Sequence, residues 1–160
     1  MKPTIRDYRE TDSEQFTGLV RDLQRFELDL HDRMMPVEHI GEWYIEALQR
    51  RCEEEQGALL VAERDGELIG YATIFARVEQ TAEIDEIPYS FGEISHIAVK
   101  PVARGAGAGK LLMEECERRA RRAGRRWLRI NVLANNVAAR RIYEHMGFRD
   151  HLVVMEKLLE

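Results

Sequence analysis

The sequence EISHIAVKPVARGAGAGK, residues 93–110, decides the fold of this chain. Glu93 to Val99 is rich in β-branched residues and predicts a strand, which Pro101 ends because proline has no N–H for a sheet ladder. Three glycines then alternate with alanine, and the apolar spacing after Lys110 predicts a helix. A glycine-rich turn at a helix start offers free backbone N–H groups and a positive dipole end to an anion. These residues therefore predict a pyrophosphate-binding loop.

Two common glycine-rich loops do not fit this stretch. A Walker loop needs glycine five residues before the Gly-Lys pair and a hydroxyl residue after it, but Arg104 and Leu111 stand there. A dinucleotide-binding loop needs G-x-G-x-x-G and an acidic residue further on, and this chain has G-x-G-x-G without that residue. A different anion-binding loop is required.

The composition predicts one soluble domain spanning residues 1–160. The chain is 44% hydrophobic and 33% charged, and it has no apolar run of the length that a membrane span needs. Cys52 and Cys116 give no disulfide framework or metal-ligand spacing, which favours a reducing, cytoplasmic location. Residues 1–95 carry a net charge of −12 and residues 96–160 carry +7. This asymmetry indicates either two ligands of opposite charge or two halves that neutralise each other.

The order of predicted elements is β-α-α-β-β-β-α-β-α-β. A capping box at Thr11–Glu14 opens a helix with an apolar stripe, and Pro36-Val-Glu38 opens a second helix. Asp65-Gly66 predicts a type I′ hairpin between two apolar strands. Residues 127–133 predict a further strand, and the β-prone residues 148–158 predict edge strands. This order predicts an α/β fold with a central mixed sheet and helices on both faces.

Two motifs together resemble the GNAT superfamily of N-acetyltransferases. One is Arg104-x-x-Gly107-x-Gly109 after a strand that ends in Ala98-Val99. The other is Asn136-x-x-Ala139-x-x-Ile142-Tyr143-x-x-x-Gly147-Phe148, which has Ile where the family commonly has Leu. The resemblance covers residues 91–150 closely and implies a twisted, mostly antiparallel sheet of six to seven strands. It also implies an acetyl-CoA-dependent enzyme.

The same resemblance assigns a role to each motif. Backbone groups of Ile97, Ala98 and Val99 would pair with the pantetheine arm of coenzyme A. Asn136 would hydrogen-bond the coenzyme, and Tyr143 would protonate the departing thiolate as general acid. The pyrophosphate would be held by N–H groups of the loop, Arg104, Gly105, Ala106, Gly107, Ala108, Gly109 and Lys110. No metal is implied.

The general base that deprotonates the amine is left open among three candidates. Glu93 occupies a strand position that several relatives fill with a catalytic glutamate, and His96 has a suitable intrinsic pKa. In a regular strand the two side chains point to opposite faces, so one of them would serve, unless a bulge intervenes. Some relatives use only water.

The predicted acceptor is a small-molecule or peptide amine. Glu83, Asp85 and Glu86, just before the central strand, favour a cationic acceptor. The alternative function is an acyl-CoA-binding sensor or interaction module without turnover. The arginine run 118–126 is predicted to be a solvated face, with neither nucleic acid nor membrane as partner, because no base-stacking aromatics accompany it. Dimers are common in the family and a homodimer is allowed, although no residue here requires one.

Overall fold

A computed structural model describes residues 1–81 and 83–159 of the chain. Its five strands are β1 Thr4–Asp7, β2 Ala58–Arg64, β3 Glu67–Glu79, β4 Ser90–Val99 and β5 Leu128–Ile130. Its four α-helices are α1 Ser13–Leu28, α2 Glu42–Glu54, α3 Ala108–Arg122 and α4 Val137–His145. The α/β class and the presence of helices on both faces of a mixed sheet are confirmed.

The strands lie in one sheet in the order β1-β2-β3-β4-β5. All neighbours are antiparallel except β4 and β5, which run parallel. The parallel pair is short, because only Gly92–Ile94 of β4 are matched by Leu128–Ile130 of β5. Beyond Ile94 the two strands part, and one edge of β4 from Ser95 to Val99 faces an opening in the sheet.

Each face of the sheet has its own hydrophobic core. Helices α1 and α2 cover one face, where Phe16 on α1 packs edge-on against Tyr71 on β3 with ring centroids 5.0 Å apart. Helix α3 covers the other face and packs Leu112 and Cys116 against Ile74 and Ile94. Helices thus cover both faces of the sheet. Because β3 lies in the middle of the sheet, its side chains are buried on both faces, and its burial is nearly continuous.

The predicted hairpin is confirmed in detail, and two helices end in glycines of the expected conformation. The turn between β2 and β3 has positive φ at both Asp65 (54°) and Gly66 (80°), as a type I′ hairpin requires. Gly124 and Gly147 follow α3 and α4 with φ of 74° and 90°, the left-handed conformation typical of the residue after a helix.

The helix starts differ from the predictions. Helix α1 is preceded by a short 3₁₀ turn, and its capping contact is made by Asp12, which accepts from the Arg9 N–H at 2.8 Å. The Asp12 carboxylate also holds Arg6, so a buried ion pair selects this register. The second helix begins at Glu42, because residues 37–39 form a separate 3₁₀ turn after Pro36.

The strand count also differs from the prediction. Within the described residues the sheet has five strands rather than six or seven, and β5 covers three of the predicted residues 127–133. The predicted edge-strand residues 148–158 form no strand, and Leu152, Val154 and Met155 among them are 79–90% exposed. A β-prone sequence needs a partner strand, and the three-residue β5 provides little edge for one.

Several ion pairs join the acidic and basic halves of the chain. Lys100 lies 2.7 Å from Glu67, and Arg119 lies 2.5 Å from Asp7 while also binding Glu115 on its own helix. The opposite charges of the two halves therefore neutralise each other at least partly within the fold.

None of the helices formed by the described residues is long and apolar enough to cross a membrane.

Candidate active site

The glycine-rich loop lies beside the opening of the sheet and is shaped for an anion. Gly105 and Gly107 have φ of 81° and 87°, and a Cβ built on either one meets no atom within 4 Å, so open space surrounds both. Helix α3 starts at Ala108, and the first helical donation in this turn runs from Leu111 N to Gly107 O at 3.0 Å. The N–H groups before Leu111 therefore lack an intrahelical acceptor and face outward at a positive helix end.

The free edge of β4 leads from this loop towards the middle of the sheet. Ile97, Ala98 and Val99 pair with Ala72, Tyr71 and Gly70 of β3 on one side only. On the other side β5 has already ended its pairing at Ile94. An unpaired strand edge carries backbone donors and acceptors that an extended ligand can use. The three residues predicted to hold an extended arm thus lie at such an edge.

Helix α4 closes the far side of the opening. Asn136 is its N-cap, and its side chain accepts from Ala139 N at 3.2 Å. Tyr143 is partly buried and packs against the same core cluster as Ile97 and Val99, and its ring lies 6.1 Å from that of Phe148. Burial, followed by the charge of Glu27, raises the pKa of Tyr143 to about 12. Its hydroxyl therefore keeps its proton at neutral pH.

A bulge in β4 turns Glu93 and His96 to the same face. The register passes from Thr73 opposite His96 to Ile74 opposite Ile94, which leaves Ser95 without a partner. Arg51 of α2 lies 3.4 Å from the Glu93 carboxylate, and Tyr44 of α2 lies 3.0 Å from His96 Nε2. The expectation that the two side chains face opposite sides is wrong, because the extra residue restores the same orientation.

His96 is a neutral imidazole in this site. Burial and the positive charge of Arg51 lower the pKa of His96 to about 4. Its Nε2 meets the Tyr44 hydroxyl, whereas its Nδ1 is buried and has no hydrogen-bond partner among the described residues. The buried hydroxyls of Tyr71 and Thr73 on the adjacent strand lack a partner in the same part of the chain. Three buried polar groups on β3 and β4 therefore have no hydrogen-bond partner among the described residues.

Glu27 and Tyr44 were not among the predicted site residues. The charge of Glu27 contributes to the raised pKa of Tyr44, Tyr71 and Tyr143, so its carboxylate acts on groups from α2, β3 and α4 together. The sequence holds one signal for it. Glu27 lies four residues after Leu23 and three before Leu30, at an inward position of the apolar stripe, whereas Phe26 beside it is 45% exposed.

A cavity of about 750 Å³ lies elsewhere, between the end of α3, β5 and residues 146–151. Its lining includes Arg121, Arg125, Arg126 and Arg129, and it contains none of the predicted site residues. Several of these arginines already have partners, since Arg121 pairs with Glu117 and Arg129 with Gln80.

The loop Glu83–Glu86 is exposed, and its Glu86 carboxylate accepts from the Glu83 N–H at 3.2 Å. No cluster of three or more metal-binding side chains occurs within residues 1–81 and 83–159.

The sequence profile of the acetyltransferase (GNAT) family matches residues 22–148. A mycothiol acetyltransferase from Thermobispora bispora is 33% identical over 111 residues, which cover 68% of this chain and 36% of that protein. The chain spans about a third of the length of the mycothiol acetyltransferases it matches.

The fold is found in solved structures at low identity. A mutant of the BH1408 protein from Bacillus halodurans superposes with a TM-score of 0.86 at 20% identity, covering 98% of this chain and 99% of that one. The aminoglycoside acetyltransferase AAC(6')-Iy, in complex with the bisubstrate analogue CoA-S-monomethyl-acetylneamine, superposes with a TM-score of 0.74 at 20% identity, covering 100% of this chain and 99% of that one.

The open strand edge and the glycine-rich loop lie next to each other and form one candidate binding site. The chain belongs to the acetyltransferase (GNAT) family, whose cosubstrate is acetyl-CoA. Its residues fit that molecule, because the open left-handed glycines can admit a pyrophosphate and the one-sided edge of β4 can admit a pantetheine arm.

Proposed function

We propose that this protein transfers an acetyl group from acetyl-CoA to a primary amine by direct attack in a ternary complex. The observation that carries the proposal is the position of the free edge of β4. One end of this edge meets the glycine-rich loop, and Glu93 and His96 lie on the same strand near its other end. Tyr143 of α4 packs against the same core cluster as Ile97 and Val99 of this strand. A coenzyme that lies along the edge with its pyrophosphate at the loop would bring its thioester to these side chains.

The loop and the strand edge would bind the cosubstrate. The N–H groups of residues 105–110 would hold the pyrophosphate, whereas the Arg104 N–H already donates to Pro101 O at 3.3 Å. Ile97, Ala98 and Val99 would pair with the pantetheine arm. Asn136 would bind the coenzyme through the part of its side chain that the helix cap leaves free. Its Oδ1 accepts from Ala139, so the amide Nδ2 is the group available to donate.

Tyr143 and Glu93 would move the protons. The amine nitrogen attacks the acetyl carbon, so that a C–N bond forms and the C–S bond breaks. Tyr143 donates its proton to the departing thiolate and regains one from the nitrogen. An ammonium must lose one further proton before it can attack, and Glu93 would accept it. The side chain of Glu93 is 16% exposed and faces the same side as His96, so a water molecule can link it to the amine.

Thermal unfolding with and without acetyl-CoA is the first experiment. Ligand at about 100 times its dissociation constant stabilises a protein by about 2.7 kcal/mol, which shifts the Tm of a domain of this size by several degrees. We expect this shift, followed by amine-dependent release of CoA. No shift at millimolar acetyl-CoA would contradict the proposal, and a shift without turnover on any amine would favour an acyl-CoA-binding sensor.

A further inference from the structure

A strongly apolar segment, residues 152–159, lies exposed after α4. Six of its eight residues are hydrophobic and 69–90% exposed: Leu152, Val153, Val154, Met155, Leu158 and Leu159. None of its backbone groups has a backbone hydrogen-bond partner within residues 1–81 and 83–159. Its one polar side-chain contact in that part of the chain is an exposed ion pair between Glu156 and Arg33 at 2.7 Å. Soluble proteins rarely leave such an apolar surface uncovered, so this segment calls for a partner surface.

The sequence of the apolar segment suits a strand that is covered on both faces. In an extended chain, successive side chains point to opposite faces. Each face of this segment would then carry three apolar side chains: Leu152, Val154 and Leu158 on one, and Val153, Met155 and Leu159 on the other. Apolar residues on both faces are typical of a strand inside a layered sheet. Such a strand needs the unpaired edge of another strand beside it.

Strand β5 provides an unpaired edge of this kind. It is the last strand of the sheet formed by the described residues and pairs only with β4. The cavity of about 750 Å³ lies beside it, and we call it the β5 groove. Besides the arginines named above, its lining includes the apolar side chains of Met113, Trp127, Leu128 and Phe148, and Trp127 is 57% exposed. A free strand edge and an apolar groove therefore lie together at this end of the sheet.

The chain leads its apolar segment past its own β5 groove. His151 still lines the groove, and its Nε2 lies 3.0 Å from Arg129 Nη2 on β5. None of the described residues 152–159 lines the groove, and the segment leads instead to Arg33 on the connection between α1 and α2. Both surfaces of one copy are thus left uncovered. A second copy presents the same two surfaces, so each copy can cover the groove of the other, and such a reciprocal contact closes as a two-fold dimer.

The apolar area of the segment is large enough for a stable dimer. Burial of one such side chain removes roughly 60–120 Å² of apolar surface from water. The twelve side chains of two exchanged segments would remove roughly 700–1,400 Å², and the groove surfaces that they cover add to this area. Specific interfaces bury roughly 1,200–2,000 Å² in total. Because β5 has three residues, backbone pairing supplies the smaller part of this contact and the side chains supply the larger part.

We propose that residues 152–159 of one copy add as a strand to the free edge of β5 in a second copy and cover the β5 groove there, while the second copy does the same in return. The partner that this surface fits is therefore another molecule of the same protein, joined by exchanged strands. The inference goes beyond acetyl transfer and does not depend on it.

Analytical ultracentrifugation of the full chain tests the dimer. We expect a particle of twice the chain mass of 18.7 kDa, and a dimer Kd that rises roughly a hundredfold in Val154→Lys, because a charge would enter the covered strand. Each chain should keep its fold, since Val154 is 83% exposed and belongs to neither core cluster. Ile84→Lys is the matched control, because Ile84 is also an exposed apolar residue but lies between β3 and β4. A monomeric wild type, or equal dimer affinity in the two variants, would overturn the proposal.

Paramagnetic relaxation in mixed dimers shows which copy supplies the segment. A spin label on Lys157→Cys in a chain without nitrogen-15 is refolded together with nitrogen-15-labelled wild type, whose buried Cys52 and Cys116 carry no label. We expect the amide signals of Leu128–Ile130 in the wild-type chain to weaken, and those of Thr4–Asp7 at the other end of the sheet to stay unchanged. If the β5 signals weaken only when the spin label and nitrogen-15 share one chain, the segment covers its own groove and the proposal is wrong. A dimer in which neither arrangement weakens these signals uses a different surface and would equally refute it.

Discussion

The Tyr143 hydroxyl is the group that we propose as the proton donor. Its side chain is half-buried, its pKa is raised to about 12, and it packs against the same core cluster as Ile97 and Val99 of β4. A phenol with a raised pKa stays protonated at neutral pH, so its proton is present when the C–S bond breaks and can be donated to the departing thiolate.

Replacing Tyr143 by phenylalanine should lower kcat by about a hundredfold, because general acid catalysis contributes on that order. The affinity for acetyl-CoA should change by less than about twofold, since the ring still packs against Phe148. Initial rates together with thermal shifts check both values. Tyr8→Phe serves as control, because Tyr8 packs near Phe16 outside the site. An unchanged kcat would remove Tyr143 from the acid role.

Replacing Glu93 by glutamine should lower kcat/KM at neutral pH by about a hundredfold and flatten the acid limb of the pH–rate profile. Glu55→Gln is the matched control, because Glu55 binds the same Arg51 at 3.2 Å. If the acid limb survives in Glu93→Gln and disappears in His96→Gln, the base is His96. If it survives in both variants, water is the remaining candidate.

At the scale of elements, the turn between β4 and α3 is the part of the fold most closely fitted to a ligand. It combines a strand end, two left-handed glycines and an uncapped helix start within residues 99–108. Each of these features is local, and together they align several free N–H groups in one direction.

Gly107→Ala should weaken acetyl-CoA binding by about tenfold, because an alanine at positive φ strains the turn by about 1–2 kcal/mol. Gly66→Ala is a close control. Gly66 has φ of 80°, a Cβ there also meets no atom within 4 Å, and it lies in the β2–β3 turn away from the site. Both variants should lose similar stability in thermal unfolding. Equal acetyl-CoA affinity in the two variants would show that the loop does not bind the coenzyme.

At the scale of the whole molecule, His96 links the site to the stability of the fold. Its pKa falls from 6.5 to about 4 because the imidazole is buried between β4 and α2 and close to Arg51. Between these two values the unfolded chain binds a proton that the folded chain does not. The free energy of unfolding therefore decreases as the pH falls through this window.

Lowering the pH from 7 to 5 should reduce the free energy of unfolding by up to about 2 kcal/mol through His96 alone. Urea unfolding of wild type and His96→Gln at both pH values measures this contribution as a difference. Glu27, whose pKa is raised by burial, changes stability in the opposite direction, and it does so equally in both proteins. A pH dependence that is the same in both proteins would contradict a buried neutral His96.

The sequence by itself determined the features that depend on near neighbours. The Asp65-Gly66 hairpin, the Asn136 cap and the glycine-rich loop between β4 and α3 all follow from residues a few positions apart. The family follows as well, because its two motifs lie within residues 91–150. Turn, cap and loop chemistry is encoded locally, so reading the chain in order is enough to find it.

Only the tertiary structure decided which side chains meet. The Ser95 bulge depends on the register of β4 against β3, and it brings Glu93 and His96 to one face. Tyr44 of α2 meets His96 of β4 at 3.0 Å, although the two residues are 52 positions apart in the chain. The strand count depended on whether residues 149–159 have a partner edge. Register and packing are set by long-range contacts, and a single sequence shows no direct trace of those.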